Sequence, residues 1–248
     1  LWPVLSGTPE WNWLIGGAGV CTMLLGSFIA IFQHDLKGLL AYSTISHLGL
    51  ITVLLGIGTP LSVVAAIFHT MNHAIFKASL FMAAGIIDHE TGTRDMRRLS
   101  GLGRLMPVTA TLATVAAAAM AGVPLLNGFL SKEMFFAEAY AWHSGSPFDD
   151  SMPYIAVFAS AFSVAYSLRL IHTVFFGPLA TDLPKTPHEP VHWMRRPVEL
   201  LVLICLVVGI APAATVGPWL ETAARSVLGE ALPYYSLALW HGVNAPLI

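Results

Sequence analysis

The most regular feature of this chain is a series of long apolar runs separated by short polar stretches. Six runs and the start of a seventh can be marked, at about 13–33, 38–57, 61–87, 105–142, 154–176, 198–220 and 234–248. A helix needs about 20 apolar residues to cross a bilayer core of about 30 Å, whereas the strands of a membrane barrel alternate over about ten residues. The pattern therefore predicts an all-α, polytopic bundle of membrane helices that forms one domain, 1–248.

The fourth run, 105–142, is too long for one uninterrupted crossing. As a continuous helix it would measure about 57 Å. Its middle contains residues that disfavour a helix, namely Gly122, Pro124, Asn127 and Gly128. We therefore expect either two crossings joined by a buried hairpin or one crossing whose helix is broken near 122–131.

The distribution of basic residues favours the single broken crossing. With one crossing, the polar stretches 34–37, 88–104 and 177–197 share a side of the membrane and together hold eight Lys and Arg residues, against only Arg225 in the opposite loops. With two crossings, 177–197 would change sides and the asymmetry would weaken. Because cytoplasmic loops are enriched in Lys and Arg, we predict one discontinuous membrane helix, with 88–104 and 177–197 in the cytoplasm.

Composition supports a membrane protein. The chain is 56% apolar and only 10% charged, whereas a soluble domain carries about 25% charged residues. Cys21 and Cys205 lie in apolar runs without the spacing of a disulfide or metal site, and we interpret them as small core residues. The chain starts without Met or a signal peptide and ends inside an apolar run, so we expect it to be an internal piece of a longer polypeptide.

Three titratable side chains interrupt the third run in one register. His69, His73 and Lys77 are four residues apart, and positions four apart on a helix differ by only about 40° in direction, so they form one stripe roughly 12 Å long. A Lys at the bilayer centre costs about 2.5–3.5 kcal/mol on insertion scales, so we expect the stripe to face the protein interior. Since imidazole exchanges protons near neutral pH, we interpret the stripe as a proton path. The alternative is that these groups only hold helices together.

Other polar residues of the apolar runs extend this hypothesis. His47 lies near the middle of the second run, at a depth where it can face the stripe and take part in the proton path. Asn72 is next to the stripe and suits a hydrogen bond between helices. Arg169 lies near the cytoplasmic end of the fifth run, and we expect it to reach the interface or to pair with a neighbouring helix.

The broken helix carries a further candidate relay residue, Lys132. Broken helices at membrane depth are tolerated where they are buried in protein or line a wet cavity, and in transporters they often mark the ion path. We therefore predict that Lys132 relays protons; the alternative is a lysine at a helix end that snorkels to the interface. The supporting residues that we expect around it are Pro124, Gly128, Ser131 and Glu133.

Other chemistry is not indicated by the sequence. The chain has no Walker loop, dinucleotide fingerprint, CxxC pair or serine elbow. His188 and His192 lie in a Pro-rich loop without a third ligand, so they do not predict a metal site. We expect no catalytic residue, no cofactor, no metal and no nucleic-acid partner.

Several stretches resemble a known family of membrane proteins. Three stretches resemble the antiporter-like subunits that are shared by respiratory complex I and the Mrp-type multisubunit cation/proton antiporters. They are DLKGLLAYSTISHLG, AAIFHTMNHAIFKASLFMAAG and GVPLLNGFLSKEMFFAEA. Two further stretches look like the large A subunits of the Mrp type, namely DHETGTRDMRRLSGLG and YYSLALWHGVNAPL.

The resemblance implies an inverted repeat of five-helix units, each with a broken helix, of which this chain holds the second unit and the helices after it. By motif match, His69, His73 and Lys77 fall on the central hydrophilic axis of the family, and Lys132 falls on the lysine of the second broken helix, near the outward half-channel. The first half-channel would lie in an N-terminal part that precedes this chain. We therefore expect that the chain alone does not transport.

The resemblance also implies a function, a non-enzymatic and proton-translocating subunit of a multisubunit Na⁺ or K⁺/H⁺ antiporter in a bacterial inner membrane. Its partners would be the other subunits, the lipid bilayer, H⁺ and the cation. The first alternative is a proton-pumping antiporter-like subunit of complex I or of a membrane-bound hydrogenase. A second is a structural scaffold whose polar stripe only joins helices.

Overall fold

The computed structural model describes residues 2–142 and 147–238, and within these ranges the chain is built from helices. The single β-bridge between Asp35 and Asp95 is the one strand-like contact of this part. Helices α1, α2 and most of α6 are long and apolar enough to cross a membrane. The predicted all-α, polytopic bundle is therefore confirmed. Its longer helices are α1 Pro9–Phe32, α2 Leu36–Ile57, α3 Pro60–Thr91, α4 Pro107–Ala121, α5 Asn127–Ala141, α6 Pro147–Phe175, α7 His192–Ile210 and α8 Gly217–Leu228.

Helix α3 is longer than the apolar run 61–87 and lies at the centre of the bundle. It begins after Thr59, whose hydroxyl accepts a hydrogen bond from the Ser62 amide, and it ends at Gly92 in the left-handed conformation. These are ordinary signals for the start and end of a helix. α3 packs against α2, α4, α5, α7 and α8, so the polar stripe that it carries lies inside the protein.

The sixth and seventh apolar runs differ from the predicted spans. The helix expected over 198–220 ends at Ile210, because the following Pro212 disfavours the helical conformation at Ala211, which adopts φ −132° and ψ 60°. A single helical turn and α8 follow. The run 234–248 is not helical at its described beginning, and its remainder lies outside the described residues.

Close packing of α1 on α2 fixes the position of His47. A Cβ atom at Gly49 would lie 2.3 Å from the Met23 amide nitrogen, so the two backbones touch where the side chain is absent. Next to this contact the Ser46 hydroxyl donates to the Met23 carbonyl oxygen at 2.9 Å. Small residues and hydroxyls of this kind are the usual means of joining membrane helices. They set the rotation of α2 that turns His47 towards α3.

We expect Gly49→Ala to destabilise the protein and Gly85→Ala to leave it unchanged or slightly more stable. The added methyl group meets backbone at position 49, whereas nothing lies within 4 Å of a Cβ at Gly85. Overpacking of this kind costs typically about 1–3 kcal/mol, and Gly→Ala inside a free helix stabilises by roughly 0.5–1 kcal/mol. The measurement is the thermal unfolding of the purified full-length protein in detergent. Equal melting temperatures of the two variants would contradict the close contact.

The three basic loops lie together at one end of the bundle. The Leu36 amide donates to the Arg94 carbonyl oxygen at 2.9 Å, and the Gly101 amide donates to the Phe176 carbonyl oxygen at 3.1 Å. The Glu189 carboxylate accepts hydrogen bonds from the first amides of α4. Polar stretches 34–37, 88–104 and 177–197 therefore share one side.

The opposite end of the bundle is reached by α5. There Glu138 is hydrogen-bonded to Thr59, which precedes α3. Since α4 starts among the basic loops and α5 ends at the other side, the two 15-residue helices make one crossing between them. The predicted discontinuous helix is confirmed, and the buried hairpin is not what the structure shows.

Ion pairs give the basic loops a defined conformation. Arg94 in the loop after α3 pairs with Asp35 at 2.6 Å, and Asp88 near the end of α3 pairs with Lys37 at 2.8 Å, so both pairs join this region to the start of α2. Hydrogen bonds from Arg97 hold the pKa of the Asp95 carboxyl at about 2. These pairs are partly solvent-exposed and contribute little stability each, so their role is to fix the path of the loop.

Candidate functional site

The interruption between α4 and α5 is a tightly folded turn. α4 ends at Gly122, which has a φ of 91°, and Leu125 adopts a φ of 68°. Pro124 between them cannot continue a helix. A Cβ at Gly128 would lie 1.9 Å from the Ala119 carbonyl oxygen, so the start of α5 lies directly against the end of α4.

Lys132 points back into the bundle from the first turns of α5. Its Nζ donates to the Ala121 carbonyl oxygen at 2.9 Å and to Ser163 Oγ at 3.0 Å, and the residue is only 5% exposed. The carboxyl end of α4 carries free carbonyl groups and the negative end of the helix dipole, which favour a cation. The break thus supplies the polar environment of the ammonium group, and Lys132 does not extend to the membrane interface.

Two buried histidines face each other across α2 and α3. His47 Nδ1 lies 3.0 Å from His69 Nε2, and the rings are stacked with centroids 5.2 Å apart. His69 Nδ1 in turn lies 2.9 Å from Ser131 Oγ on α5. Both ring nitrogens of His69 are therefore hydrogen-bonded. The two imidazoles form one pair, and its His69 end contacts Ser131 near the start of α5.

A tyrosine and a serine of α6 connect this pair to Lys132. The Tyr166 hydroxyl lies 3.2 Å from His47 Nε2 and 3.1 Å from Ser163 Oγ. Our sequence interpretation missed both residues, because a tyrosine in an apolar run resembles a core aromatic residue. The available signal was the spacing of Ser160, Ser163 and Ser167 with Tyr166, which puts polar groups on one face of α6.

Lys77 and His73, the other two residues of the stripe, are not hydrogen-bonded to the histidine pair. The Lys77 ammonium donates to the Leu40 carbonyl oxygen at 3.2 Å and to the Ser43 hydroxyl, both on α2. The His73 ring centroid lies 5.3 Å from that of His47, but His73 Nε2 is buried without a hydrogen-bond partner among the described residues. The stripe is therefore not bonded along α3; its members reach across to neighbouring helices.

Neither buried lysine has an acidic partner within the described part of the chain. The ion pairs found there involve the loops and helix ends, and among the described side chains no carboxylate lies within 4 Å of Lys77 or Lys132. Burying an ammonium group without a carboxylate costs several kcal/mol after relaxation. Intramembrane cations that are kept in spite of this cost mark ion or proton pathways.

The predicted supporting residues occupy different places. The Asn127 side chain donates to the Asn72 carbonyl oxygen at 3.3 Å, so α3 and α5 are joined through the backbone of Asn72, whose side-chain amide is buried without a partner in the described part. Arg169 lies apart from the lysine–histidine groups. It donates to the Ile31 carbonyl oxygen and lies 3.3 Å from His34, which is the predicted pairing with a neighbouring helix.

A cavity of about 480 Å³ lies on the other side of Lys132. Glu133, Ala137 and Ser160 contribute to its wall, and so do Tyr234 and Tyr235 from the segment after α8. Lys132 thus separates this larger space from the histidine pair. A group that contacts both a cavity and a buried hydrogen-bonded series can exchange protons between them.

Comparison with known proteins gives one family and similar relatives. The family described as NADH:quinone oxidoreductase/Mrp antiporter, transmembrane, matches residues 2–148. The chain is 68% identical over 247 residues to a probable K⁺/H⁺ antiporter A/B subunit of Rhizobium meliloti strain 1021, in a match that covers 100% of this chain and 25% of the relative. It is 42% identical over 275 residues to the Na⁺/H⁺ antiporter A subunit of Alkalihalophilus pseudofirmus, in a match that covers 100% of this chain and 34% of the relative.

A solved structure has the same fold. A chain of the Mrp complex from Dietzia sp. DQ12-45-1b superposes with a TM-score of 0.85 at 40% identity, over 98% of this chain and 26% of that chain. The chain described here therefore spans about a third or less of the length of the proteins that it matches.

Proposed function

The chain belongs to the NADH:quinone oxidoreductase/Mrp antiporter transmembrane family, and on that premise we propose that it forms the second proton-translocating unit of a monovalent cation/proton antiporter subunit. The observation that carries the proposal is the hydrogen-bonded series of buried side chains between Lys132 and His69. Relatives with identities of 68% and 42% are named as antiporter subunits, which supports the same conclusion.

The histidine pair accounts for one step of proton movement. A neutral imidazole carries a proton on one ring nitrogen and accepts on the other. When His47 takes up a proton at Nε2, it can release the Nδ1 proton to His69 Nε2, which lies 3.0 Å away. The proton then crosses from α2 to α3 without any movement of the helices. We propose that the path continues to His73, whose ring centroid lies 5.3 Å from that of His47, and then to Lys77, although no direct hydrogen bond joins these groups along α3.

The proposal also includes the location and orientation of the unit, the transported cation and the partners. The unit lies in a bacterial inner membrane with the basic loops 88–104 and 177–197 in the cytoplasm, as the excess of Lys and Arg indicates. The cation is Na⁺ or K⁺, and other subunits of a hetero-oligomeric complex are the partners. The first half-channel belongs to a preceding part of the polypeptide.

The alternative is a proton-pumping subunit of complex I or a related redox enzyme, since the family description includes both kinds of protein. The named relatives favour the antiporter. Purification of the native complex separates the two: iron–sulfur or flavin absorbance in the purified particle would favour the redox enzyme, and its absence together with exchange activity would favour the antiporter.

The test of the function uses the complete complex in everted membrane vesicles. Respiration acidifies the vesicle interior, and a pH-sensitive fluorescent dye reports the release of protons when Na⁺ or K⁺ is added. We expect cation-dependent proton release in vesicles that contain the complex and none in vesicles that lack it. Equal responses of the two preparations would contradict the proposed function.

A further inference from the structure

The hydrogen-bonded series from the Lys132 ammonium to His47 runs through two residues of α6. Lys132 and His47 share no direct hydrogen bond; Ser163 and Tyr166 stand between them, with separations of 3.0 Å, 3.1 Å and 3.2 Å along the series. The Lys132–Ser163 separation is typical of a hydrogen bond, and the two separations of the Tyr166 hydroxyl are at the long end of the hydrogen-bond range. Tyr166 is fully buried and Ser163 is 4% exposed, so both hydroxyls lie out of contact with bulk water.

We propose that Tyr166 is a proton-relay residue between Lys132 and His47, with the Ser163 hydroxyl as the second member of the relay. This inference rests on the proposed function and adds residues of α6 to the path. A hydroxyl suits the task because it donates one hydrogen bond and accepts others, and its hydrogen can rotate between partners. Phenylalanine would fill the same space without this capacity.

The relay step conserves atoms and charge. In the structure the Tyr166 hydroxyl donates to Ser163 Oγ, and the Ser163 hydroxyl donates to the Met120 carbonyl oxygen. Both hydroxyls therefore first rotate, so that Ser163 donates to Tyr166 and Tyr166 donates to His47 Nε2. An N–H bond of the Lys132 ammonium then breaks as its proton passes to Ser163 Oγ, and the original Ser163 proton passes to the Tyr166 oxygen. The original Tyr166 proton then forms a bond with His47 Nε2. Lys132 becomes a neutral amine and His47 an imidazolium, which loses its Nδ1 proton to His69. The two hydroxyls end with reversed hydrogen bonds and must rotate before the next proton.

A small cavity supports the connection. It measures about 10 Å³ and is lined by His47, Lys132, Ser163 and Tyr166, which is close to the minimum space for one water molecule. All four polar groups of the relay therefore border one small space. The cavity is too small for a chain of waters that would bypass the phenol.

The test is Tyr166→Phe in the full-length subunit, measured in the assembled complex in everted vesicles. We expect the rate of cation/proton exchange to fall at least about tenfold, since a positioned proton-transfer group contributes about 10²–10⁴-fold to a rate. The matched control is Tyr154→Phe, because Tyr154 lies on the same helix and is 77% exposed; it should exchange at the wild-type rate. Exchange by Tyr166→Phe within twofold of wild type overturns the relay.

A second readout separates relay from packing. If proton delivery becomes limiting in Tyr166→Phe, the ratio of exchange rates in H₂O and D₂O should rise above the wild-type ratio. Ser163→Ala acts on the same series, so the double variant should be no slower than Tyr166→Phe alone. An unchanged isotope ratio, or reductions that multiply in the double variant, would show a structural role and overturn the relay.

The outcome for Lys132 distinguishes this inference from the proposed function. If Lys132→Met loses exchange while Tyr166→Phe keeps it, only the relay is wrong. If Lys132→Met keeps exchange as well, the proposed function fails with it.

Discussion

His47→Leu is expected to reduce cation/proton exchange by about 100-fold or more, within the range that a positioned proton-transfer group contributes. His47 is the side chain at which the path turns from α6 to α3, because its two ring nitrogens face Tyr166 and His69. Leucine fills the space of the ring but neither donates nor accepts a proton. The measurement is exchange in everted vesicles at equal amounts of assembled complex.

The control for this variant is His172→Leu, an exposed histidine of α6 whose ring stacks on Phe176. It should exchange at the wild-type rate. A His47→Leu complex that assembles and exchanges normally would place the proton path elsewhere.

Lys132→Met is the second substitution with a large expected effect. We expect its cation/proton exchange rate to fall to that of vesicles without the complex. Methionine keeps most of the volume of the lysine but removes the group that joins the 480 Å³ cavity to Ser163. The Ala121 carbonyl oxygen then loses a partner, at a cost of about 1–3 kcal/mol. Removal of a buried charge without a carboxylate offsets this cost, so the complex should still assemble.

Lys185→Met is the matched control for Lys132→Met. Lys185 is an exposed lysine that donates to the His89 carbonyl oxygen in the basic loops, and its replacement should leave exchange unchanged. Normal exchange by Lys132→Met would mean that Lys132 only supports the end of α4.

The helix break and the single crossing could be predicted because they depend on local chemistry and loop charge. Pro124 and the glycines around it disfavour a helix in any context, and the basic loops have to lie on one side of the membrane. The ends of α3 and α7 were harder to place. α3 continues to Thr91 through polar residues that an apolar run excludes, and Pro212 ends α7 within a run whose one charged residue is Glu199.

The candidate site was only partly accessible from sequence. Helical periodicity identified His69, His73 and Lys77 as one stripe, but it does not say which helix each side chain meets. The partners depend on how neighbouring helices are rotated, and for α2 this is set by a backbone contact at Gly49. Tyr166 could not be identified from the sequence for the same reason, because its hydroxyl reaches His47 only when this face of α6 is turned towards α2.

The most direct measurement of the central claim is cation/proton exchange by a complex whose stripe on α3 has been made apolar, with His69→Leu, His73→Leu and Lys77→Met together. Assembly is checked by the amount of purified complex, which should match the wild type. If these groups carry protons, the assembled complex exchanges no faster than empty vesicles. Exchange at the wild-type rate would contradict the claim and show that the stripe only holds the helices together.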